Sequence, residues 1–261
     1  MRNIAPAALG AALALVAAAV SAGPPAPSST QSASGTTAVP STERLTRLVR
    51  GAPIGQPEPT PVAGIFRVKI GSDYVYLTAD GQYAFAGSLL DLSTGENRTE
   101  TQRNGDRLKL LSGFPADDFV LFPAEGDERA RVLVFTDTTC PYCRKLHQEV
   151  PALRKAGVTV AYIPFPRGGK GSAGEQALRS VWCAEDRLAA FNIAVGQADG
   201  QLGSADCPAA ATVDEGYRLG LQVGVSGTPT IVLPSGAALP GYLNARGLLA
   251  HLGLGKVSIA H

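Results

Sequence analysis

The chain has 261 residues, 45% of them hydrophobic, and a net charge of +1 from nearly equal numbers of acidic and basic residues. This length is enough for one large domain or two small ones with their own cores, and we expect two. Because no basic block stands out that could follow a phosphate backbone, the composition argues against nucleic acid as a partner.

The first 40 residues predict an exported protein. Met1-Arg2-Asn3 is a short cationic start, and an apolar run rich in alanine and leucine ends in small residues that permit cleavage after Ala22. The alternative is a membrane anchor, but the uninterrupted run is shorter than the about 20 residues that span a bilayer. We therefore predict a signal peptide at residues 1–22 and a flexible tether rich in Pro, Ser and Thr at residues 23–40.

A short helix is predicted where the ordered chain begins. Ser41 is a good N-cap, and Leu45, Leu48 and Val49 share one face of the helix that follows.

Strands are predicted after this helix. Phe66, Val68 and Ile70 alternate with charged residues, which is the period of a half-buried strand, and residues 74–78 and 82–90 predict two further strands. Since residues 41–95 contain no cysteine or histidine, we expect this part of the chain to serve packing or association, not catalysis.

Residues 96–116 predict a polar linker helix between two domains. Asn104-Gly105 lies inside it and lowers its helix propensity. We therefore expect a kink or a break at this pair.

Cys140-Pro141-Tyr142-Cys143 follows an apolar run and opens a helical pattern, which predicts a redox-active dithiol. The helix N-terminus offers unpaired N–H groups and partial positive charge to the first sulfur. With Arg144 and Lys145 in the next turn, we expect the pKa of Cys140 to fall from about 8.5 into the ~3.5–7.5 range. We also expect Cys140, and not Cys143, to be the exposed nucleophile.

Half of a zinc site is the alternative for this motif. Zinc usually takes a second closely spaced pair of ligands, whereas Cys183 and Cys207 stand alone and His147 is the only nearby histidine. The spacing therefore favours redox chemistry, and we predict no metal and no cofactor.

From residue 131 onward the predicted order is strand, dithiol motif, helix, strand, a helical region at residues 172–221, then strand, turn, strand and helix. This is the order of a thioredoxin fold with a helical insertion. Pro151 should kink the active-site helix. Trp182 fits the core better than a binding platform. Pro229 stands just before a strand, where a thioredoxin fold places its cis peptide, although about 94–95% of X–Pro bonds are trans.

Several stretches resemble the DsbC family of periplasmic disulfide isomerases. The run from Phe135 to His147, FTDTTCPYCRKLH, resembles the family's active site. Residues 181–186 are similar to its first structural cysteine, and residues 221–229 to its cis-proline loop. Pro61-Val62-Ala63-Gly64 and residues 76–81 are similar to its N-terminal dimerisation domain. The sequence departs from the family at Pro141, where glycine is common.

The resemblance implies a fold of two parts. An α+β, cystatin-like dimerisation domain at residues 41–95 is joined by the linker helix at residues 96–116 to an α/β thioredoxin-fold domain with a helical insertion at residues 117–261. The implied assembly is a V-shaped homodimer in the periplasm, with two catalytic arms that face a cleft.

The resemblance also implies a protein disulfide isomerase and chaperone. Cys140 as thiolate, together with Cys143, would rearrange incorrect disulfides in misfolded secreted proteins. Thr228, next to a cis Pro229, and Tyr142 would contact substrate. A membrane reductase of the DsbD type would supply electrons. A thiol oxidase like DsbA or DsbG, or a holdase chaperone whose disulfide only staples the fold, is the alternative.

The remaining two cysteines are predicted to form a structural disulfide. Four cysteines allow three pairings, but the two-residue spacing commits Cys140 to Cys143 and leaves Cys183 with Cys207. An exported chain meets an oxidising environment, which disfavours free thiols. Trp182 beside Cys183 suggests that the bond is buried.

Overall fold

The computed structural model describes residues 39–49 and 51–255. The predicted signal peptide at residues 1–22 and the predicted tether, apart from its last two residues, lie outside the described residues. No helix in these described ranges is long and apolar enough to cross a membrane.

The described chain begins with a short helix packed on an antiparallel sheet. Helix α1 is Glu43–Leu48, and strands β1 to β4 are Glu58–Pro59, Ile65–Ile70, Asp73–Thr78 and Ala84–Ala86, hydrogen-bonded in that order. Strands β2 and β3, both predicted, form an antiparallel hairpin with Phe66 opposite Leu77. Phe66 and Val68 point inward, as the alternation predicts. A cluster of Leu45, Val68 and Leu77 holds α1 on the sheet.

Two predictions for this region are wrong in detail. Leu48 is 80% exposed, because Leu45 and Val49, one turn apart, are the residues of this segment that pack on the sheet. The third strand, predicted over residues 82–90, is only the short β4. The end of the predicted strand belongs to a separate pair of strands, in which Leu90–Asp91 (β5) is hydrogen-bonded to Glu96–Asn97 (β6).

Helix α2, Arg98–Leu111, runs without interruption through Asn104-Gly105, so a break at this pair is excluded. The side chains next to this pair are held by contacts on both sides of the helix. Asp106 forms an ion pair with Lys69 of β2 at 2.5 Å. Arg107 donates hydrogen bonds to two later backbone carbonyl oxygens, those of Val223 (3.3 Å) and Gly236 (2.5 Å). These tertiary contacts outweigh the helix propensity lost at glycine, which is about 1 kcal/mol.

The second half of the chain is a mixed sheet with helices on both faces. Its strands are β7 (Val120–Phe122), β8 (Ala130–Thr136), β9 (Val158–Pro164), β10 (Thr230–Val232) and β11 (Ala238–Pro240), and its helices are α3 (Pro141–Gln148), α4 (Val150–Lys155), α5 (Ala173–Trp182), α6 (Arg187–Ala194), α7 (Ala211–Gln222) and α8 (Ala245–His251). The spatial order is β11–β10–β8–β9–β7, with β8 and β9 parallel and the other pairs antiparallel. The predicted thioredoxin order is confirmed, and β7 is an additional edge strand that the sequence analysis missed.

This sheet separates two hydrophobic clusters, because successive side chains of a strand point to opposite faces. Val132 and Val134 of β8 face the cluster beneath α3, α4, α8 and the helical insertion. Phe135 faces the other cluster, beneath α7. Leu111 and Phe114, at and beyond the end of α2, belong to this second cluster. The linker helix therefore ends inside the core of the thioredoxin-like part.

The kink predicted at Pro151 is a break. Helix α3 ends at Gln148 and α4 begins at Val150, with Glu149 between them. Proline has no N–H to continue the helical ladder. The Glu149 carboxylate is used elsewhere, because it accepts hydrogen bonds from the Tyr242 hydroxyl (2.7 Å) and from the backbone N–H of Ala245 (3.0 Å).

Cys183 and Cys207 are joined by a disulfide in the helical insertion. The core position of Trp182 is confirmed, since it is 1% exposed and its indole N–H donates to the carbonyl oxygen of Asp118 at 2.7 Å. The disulfide is nevertheless half-buried, so the expectation of a buried bond is wrong. Cys183 is the C-cap of α5. It follows the buried Trp182 but is itself only half-buried.

Replacing Gly105 with alanine should stabilise the protein. Gly105 is exposed in the middle of α2, and a Cβ placed there meets no atom within 4 Å. Gly105→Ala should raise the free energy of unfolding by about 0.5–1 kcal/mol, measured by urea denaturation. The matched control is Gly220→Ala in α7, whose Cβ would lie 2.3 Å from the buried ring of Phe165, so that this variant should be destabilised. A destabilised Gly105→Ala would show that α2 needs glycine there.

Replacing both Cys183 and Cys207 with alanine should destabilise the thioredoxin-like part. The bond joins residues 24 apart, and the chain-entropy model gives about 3 kcal/mol for a loop of this size. Calorimetry should show a lower melting temperature, while dithiol chemistry at Cys140 continues. Peptide mapping of the untreated protein that finds both cysteines alkylated, or either one linked to Cys140 or Cys143, would contradict the pairing.

Candidate active site

Cys140 is the N-cap residue of α3, four residues beyond the end of the central strand β8. Its backbone is extended (φ −76°, ψ 122°), and Pro141 follows in the first helical turn, where a missing N–H has no helical partner to lose. The backbone N–H groups of Tyr142 and Cys143, in the first turn of α3, lower the pKa of the Cys140 thiol. The dithiol motif thus begins at the carboxyl edge of the sheet, with its first sulfur at the helix N-terminus.

Asp137 fixes the loop that leads to Cys140. Its side chain is 2% exposed and accepts hydrogen bonds from the Thr139 backbone N–H (2.9 Å), the Thr139 hydroxyl (2.6 Å) and the Arg167 backbone N–H (2.9 Å). The Asp137 carbonyl accepts from the Cys140 N–H at 2.9 Å. The sequence analysis did not single out Asp137, although an aspartate two residues before threonine at a strand end is a signal of such a turn.

The loop at Thr228 and Pro229 covers both cysteines. The Thr228–Pro229 peptide bond is cis, as predicted, and the Cys140 thiol donates to the Thr228 carbonyl oxygen at 3.3 Å. Cys140 and Cys143 are each 1% exposed. The prediction that Cys140 is exposed is therefore wrong, because the contact of this loop with Cys140 leaves its sulfur little open surface.

The two thiols differ in pKa: both residues are 1% exposed, but Cys143 lies deeper in the protein than Cys140. Burial acts to raise the pKa of Cys140, but the nearby Cys143 backbone and Thr228 side chain outweigh it, and the pKa lies below the ordinary thiol value. Burial raises the pKa of Cys143 to about 11, and the nearby polar groups of the Asp137 backbone and of the Thr228 and Thr136 side chains offset only part of this effect. Cys140 therefore forms a thiolate far more readily than Cys143.

Arg144 and Lys145 were expected to lower the pKa of Cys140, but their side chains have other partners. The Arg144 Nε donates to the carbonyl oxygen of Thr138 at 2.8 Å. The Lys145 ammonium lies 4.7 Å from the centre of the Tyr242 ring. Arg144 thus helps to hold the loop before the motif, and the backbone at the helix N-terminus lowers the pKa of Cys140.

His147 lies in the core below the dithiol. Its Nδ1 is 2.9 Å from the Tyr162 hydroxyl and its Nε2 is 2.8 Å from Asn192 Oδ1. Burial lowers the pKa of His147, which favours the neutral ring.

Across the described residues, no group of three or more His, Cys, Asp or Glu side chains could hold a metal ion.

The side chains predicted to contact substrate have different surroundings. Tyr142 is 61% exposed on the first turn of α3. Thr228 is half-buried and Pro229 is buried, and both lie in the loop that contacts Cys140. The exposed ring of Tyr142 and the backbone of Thr228 and Pro229 therefore belong to the two segments that meet at the Cys140 sulfur.

Two family models match the chain. One, described as a disulfide bond isomerase protein N-terminal domain, matches residues 26–100, and one, described as a thioredoxin-like domain, matches residues 116–256. The predicted fold class, an α+β N-terminal domain joined by a helix to a thioredoxin-fold domain, is confirmed.

Named relatives cover most of the chain. Thiol:disulfide interchange protein DsbC of Salmonella typhimurium is 38% identical over 197 residues, which are 74% of this chain and 78% of that protein. DsbC of Escherichia coli is 37% identical over 187 residues, 71% of this chain and 75% of that protein. A disulfide interchange protein from Neisseria gonorrhoeae of known crystal structure aligns at 28% identity and a TM-score of 0.45, over 54% of this chain and 96% of that one. The chain therefore belongs to the DsbC family of thiol:disulfide interchange proteins and is a disulfide isomerase.

Proposed function

We propose that Cys140 is the attacking thiolate of this isomerase and that Cys143 is its resolving thiol. The observation that carries the proposal is the opposite shift of their two pKa values, downward for Cys140 and upward to about 11 for Cys143. The thiolate is the nucleophile in disulfide exchange, so the cysteine with the lower pKa reacts first.

The proposed reaction begins with reduced Cys140. Its thiolate attacks one sulfur of an incorrect disulfide, a Cys140–substrate disulfide forms, and the other substrate sulfur leaves as a thiolate and takes a proton from water. A second substrate thiolate can then attack the substrate sulfur and release Cys140, which is isomerisation. Alternatively, Cys143 attacks Cys140 and releases a reduced substrate, which leaves an oxidised enzyme.

The second outcome requires an electron donor. A membrane reductase of the DsbD type is the proposed donor, because the attack needs a reduced Cys140 at the start of each cycle. The proposed substrates are misfolded secreted proteins with incorrect disulfides. Their extended backbone would pair with Thr228 beside the cis Pro229, and the exposed ring of Tyr142 would add apolar contact without sequence preference.

The proposed location is the periplasm, after cleavage of a signal peptide at residues 1–22. The disulfide between Cys183 and Cys207 supports an oxidising compartment. Its proposed role is structural, because it joins two segments of the insertion and neither cysteine belongs to the dithiol motif.

We propose residues 41–95 as the dimerisation domain, residues 96–116 as the linker and residues 117–261 as the catalytic domain. Strand β4 supports a homodimer, because it lies at the edge of its sheet with the aromatic side chains of Tyr83 and Phe85 largely exposed. Such an edge is a template for pairing with another strand. Two joined copies would place two dithiols around one substrate.

Reduced protein should be alkylated by iodoacetamide at Cys140 before Cys143 at about pH 6. The Cys140 rate should stay high as the pH falls below the ordinary thiol pKa, whereas the Cys143 rate should grow only as the pH approaches about 11. Peptide mapping measures both. Cys143→Ser should accumulate mixed disulfides with secreted proteins, and the matched Cys140→Ser should accumulate none. Preferential labelling of Cys143 would overturn the assignment.

Charges on the β4 edge should separate the two subunits. Tyr83→Lys with Phe85→Lys should convert the dimer to a monomer in sedimentation experiments, because edge lysines oppose strand pairing. This variant should keep dithiol reductase activity and lose most isomerase activity. Leu221→Lys, at an exposed apolar position on α7, is the control and should remain dimeric. An edge variant that stays dimeric would exclude β4 from the interface.

A further inference from the structure

The hydroxyl of Thr136 is buried next to the dithiol without a hydrogen-bond partner among the described residues, and the same holds for the Thr138 hydroxyl. Both side chains are 0% exposed. A buried hydroxyl without a partner costs free energy comparable to a lost hydrogen bond. A partner that forms only during the reaction would explain why such a buried hydroxyl is kept.

The position of Thr136 points to Cys143 as this partner. Thr136 ends β8 on the same strand face as Val132 and Val134, because side chains alternate along a strand. That face is covered by α3 through Leu146. Cys143 lies one turn before Leu146, on the same side of α3. The Thr136 hydroxyl also lowers the pKa of Cys143, as a donor that faces its sulfur does.

We propose that Thr136 is a catalytic residue whose hydroxyl donates a hydrogen bond to the Cys143 thiolate each time this thiolate forms. The proposal rests on the roles proposed above for the two cysteines. In this proposal the Thr136 hydroxyl controls how fast Cys143 resolves a mixed disulfide. It therefore also controls the balance between reduction and isomerisation.

In the resolving step Cys143 first gives its proton to water. The Cys143 Sγ–Cys140 Sγ bond forms, the bond from Cys140 Sγ to the substrate sulfur breaks, and its electron pair leaves on that sulfur, which is then protonated. Over the attack and the resolving step together, the dithiol loses two electrons and the substrate disulfide gains them and becomes two thiols. In the reverse direction, when a donor thiolate attacks Cys140, the Cys143 sulfur is the leaving group. Both directions place negative charge on a sulfur that is 1% exposed, where protein donors must replace water.

Other titratable groups face Cys143 and stay unchanged in the test. These are Cys140 at the start of the motif, His147 one turn further along α3, Tyr162 of β9 and Asp137 of the loop before the motif. Tyr162 and His147 already bind each other at 2.9 Å. The substitutions at Thr136 exchange one uncharged side chain for another and leave all of these titratable groups in place.

The test compares full-length Thr136→Val, Thr136→Ser and Thr138→Val with the parent protein. Stopped-flow mixing of reduced protein with glutathione disulfide forms the Cys140–glutathione disulfide and follows the release of glutathione by Cys143. Thr136→Val should lower the Cys143 thiolate fraction about tenfold. The higher nucleophilicity of a more basic thiolate offsets part of this loss, so that release should slow about threefold to fourfold.

A second readout separates hydrogen bonding from packing. In a Cys140→Ser background with ¹³Cβ-labelled cysteine, the titration of Cys143 should move to higher pH in Thr136→Val. It should stay at the parent position in Thr136→Ser, which keeps the hydroxyl. Thr138→Val removes an equally buried hydroxyl that is not among the groups that lower the pKa of Cys143, and it should match the parent. Thr136→Ala is a second variant without the hydroxyl if valine prevents folding.

The possible results are distinguishable. Parent-like release and titration in both hydroxyl-free variants would overturn the role of Thr136 and leave the roles of the cysteines intact. Equal slowing in Thr138→Val would also overturn it, since the effect would then be general to buried hydroxyls. A parent protein that forms no glutathione disulfide at Cys140 would instead overturn the proposed function.

Discussion

Burial of two sulfur atoms beneath the Thr228–Pro229 loop is the constraint on which the chemistry of this protein depends. Burial disfavours thiolate at both positions. Both residues are 1% exposed, but Cys143 lies deeper in the protein, so burial raises its pKa more. Cys140 is the N-cap of α3, next to the free backbone N–H groups of the first turn, whereas Cys143 is one turn inside the helix. The helix N-terminus therefore lowers the pKa of one thiol, while burial raises the pKa of the other.

The fold holds this arrangement from several directions. Asp137 fixes the loop before the motif, and Arg144 binds the same loop through the carbonyl oxygen of Thr138. Arg107 of the linker helix binds the carbonyl oxygen of Val223, five residues before Thr228 in the covering segment. The linker thus contacts the segment that covers the dithiol as well as the first sheet. A charged side chain that donates to buried carbonyl groups fixes orientation more than an apolar contact does.

The features that were predicted correctly from the residues alone depend on short stretches of the sequence. The cysteine spacing, the start of α3 and the interruption of the helix at Pro151 each follow from a few adjacent residues, whereas the cis bond before β10 was implied by the family resemblance. The errors concern tertiary contacts. Helix α2 crosses Asn104-Gly105 because Asp106 and Arg107 bind partners that are distant in sequence. Likewise, the burial of Cys140 depends on a loop 88 residues further along the chain, and no pattern around the motif reports that contact.

The raised pKa of Cys143 explains how one dithiol can favour isomerisation over reduction. Because burial raises the pKa of Cys143, only a small fraction of Cys143 is a thiolate at neutral pH. A mixed disulfide at Cys140 then persists long enough for the substrate's own thiols, which have ordinary pKa values, to attack first. Stronger donors around Cys143 would shorten this interval and favour reduction, and weaker donors would leave trapped substrates without release. With the roles proposed above, the donors around the second sulfur would set the division between the two outcomes, while those around the first sulfur would set how often the reaction begins.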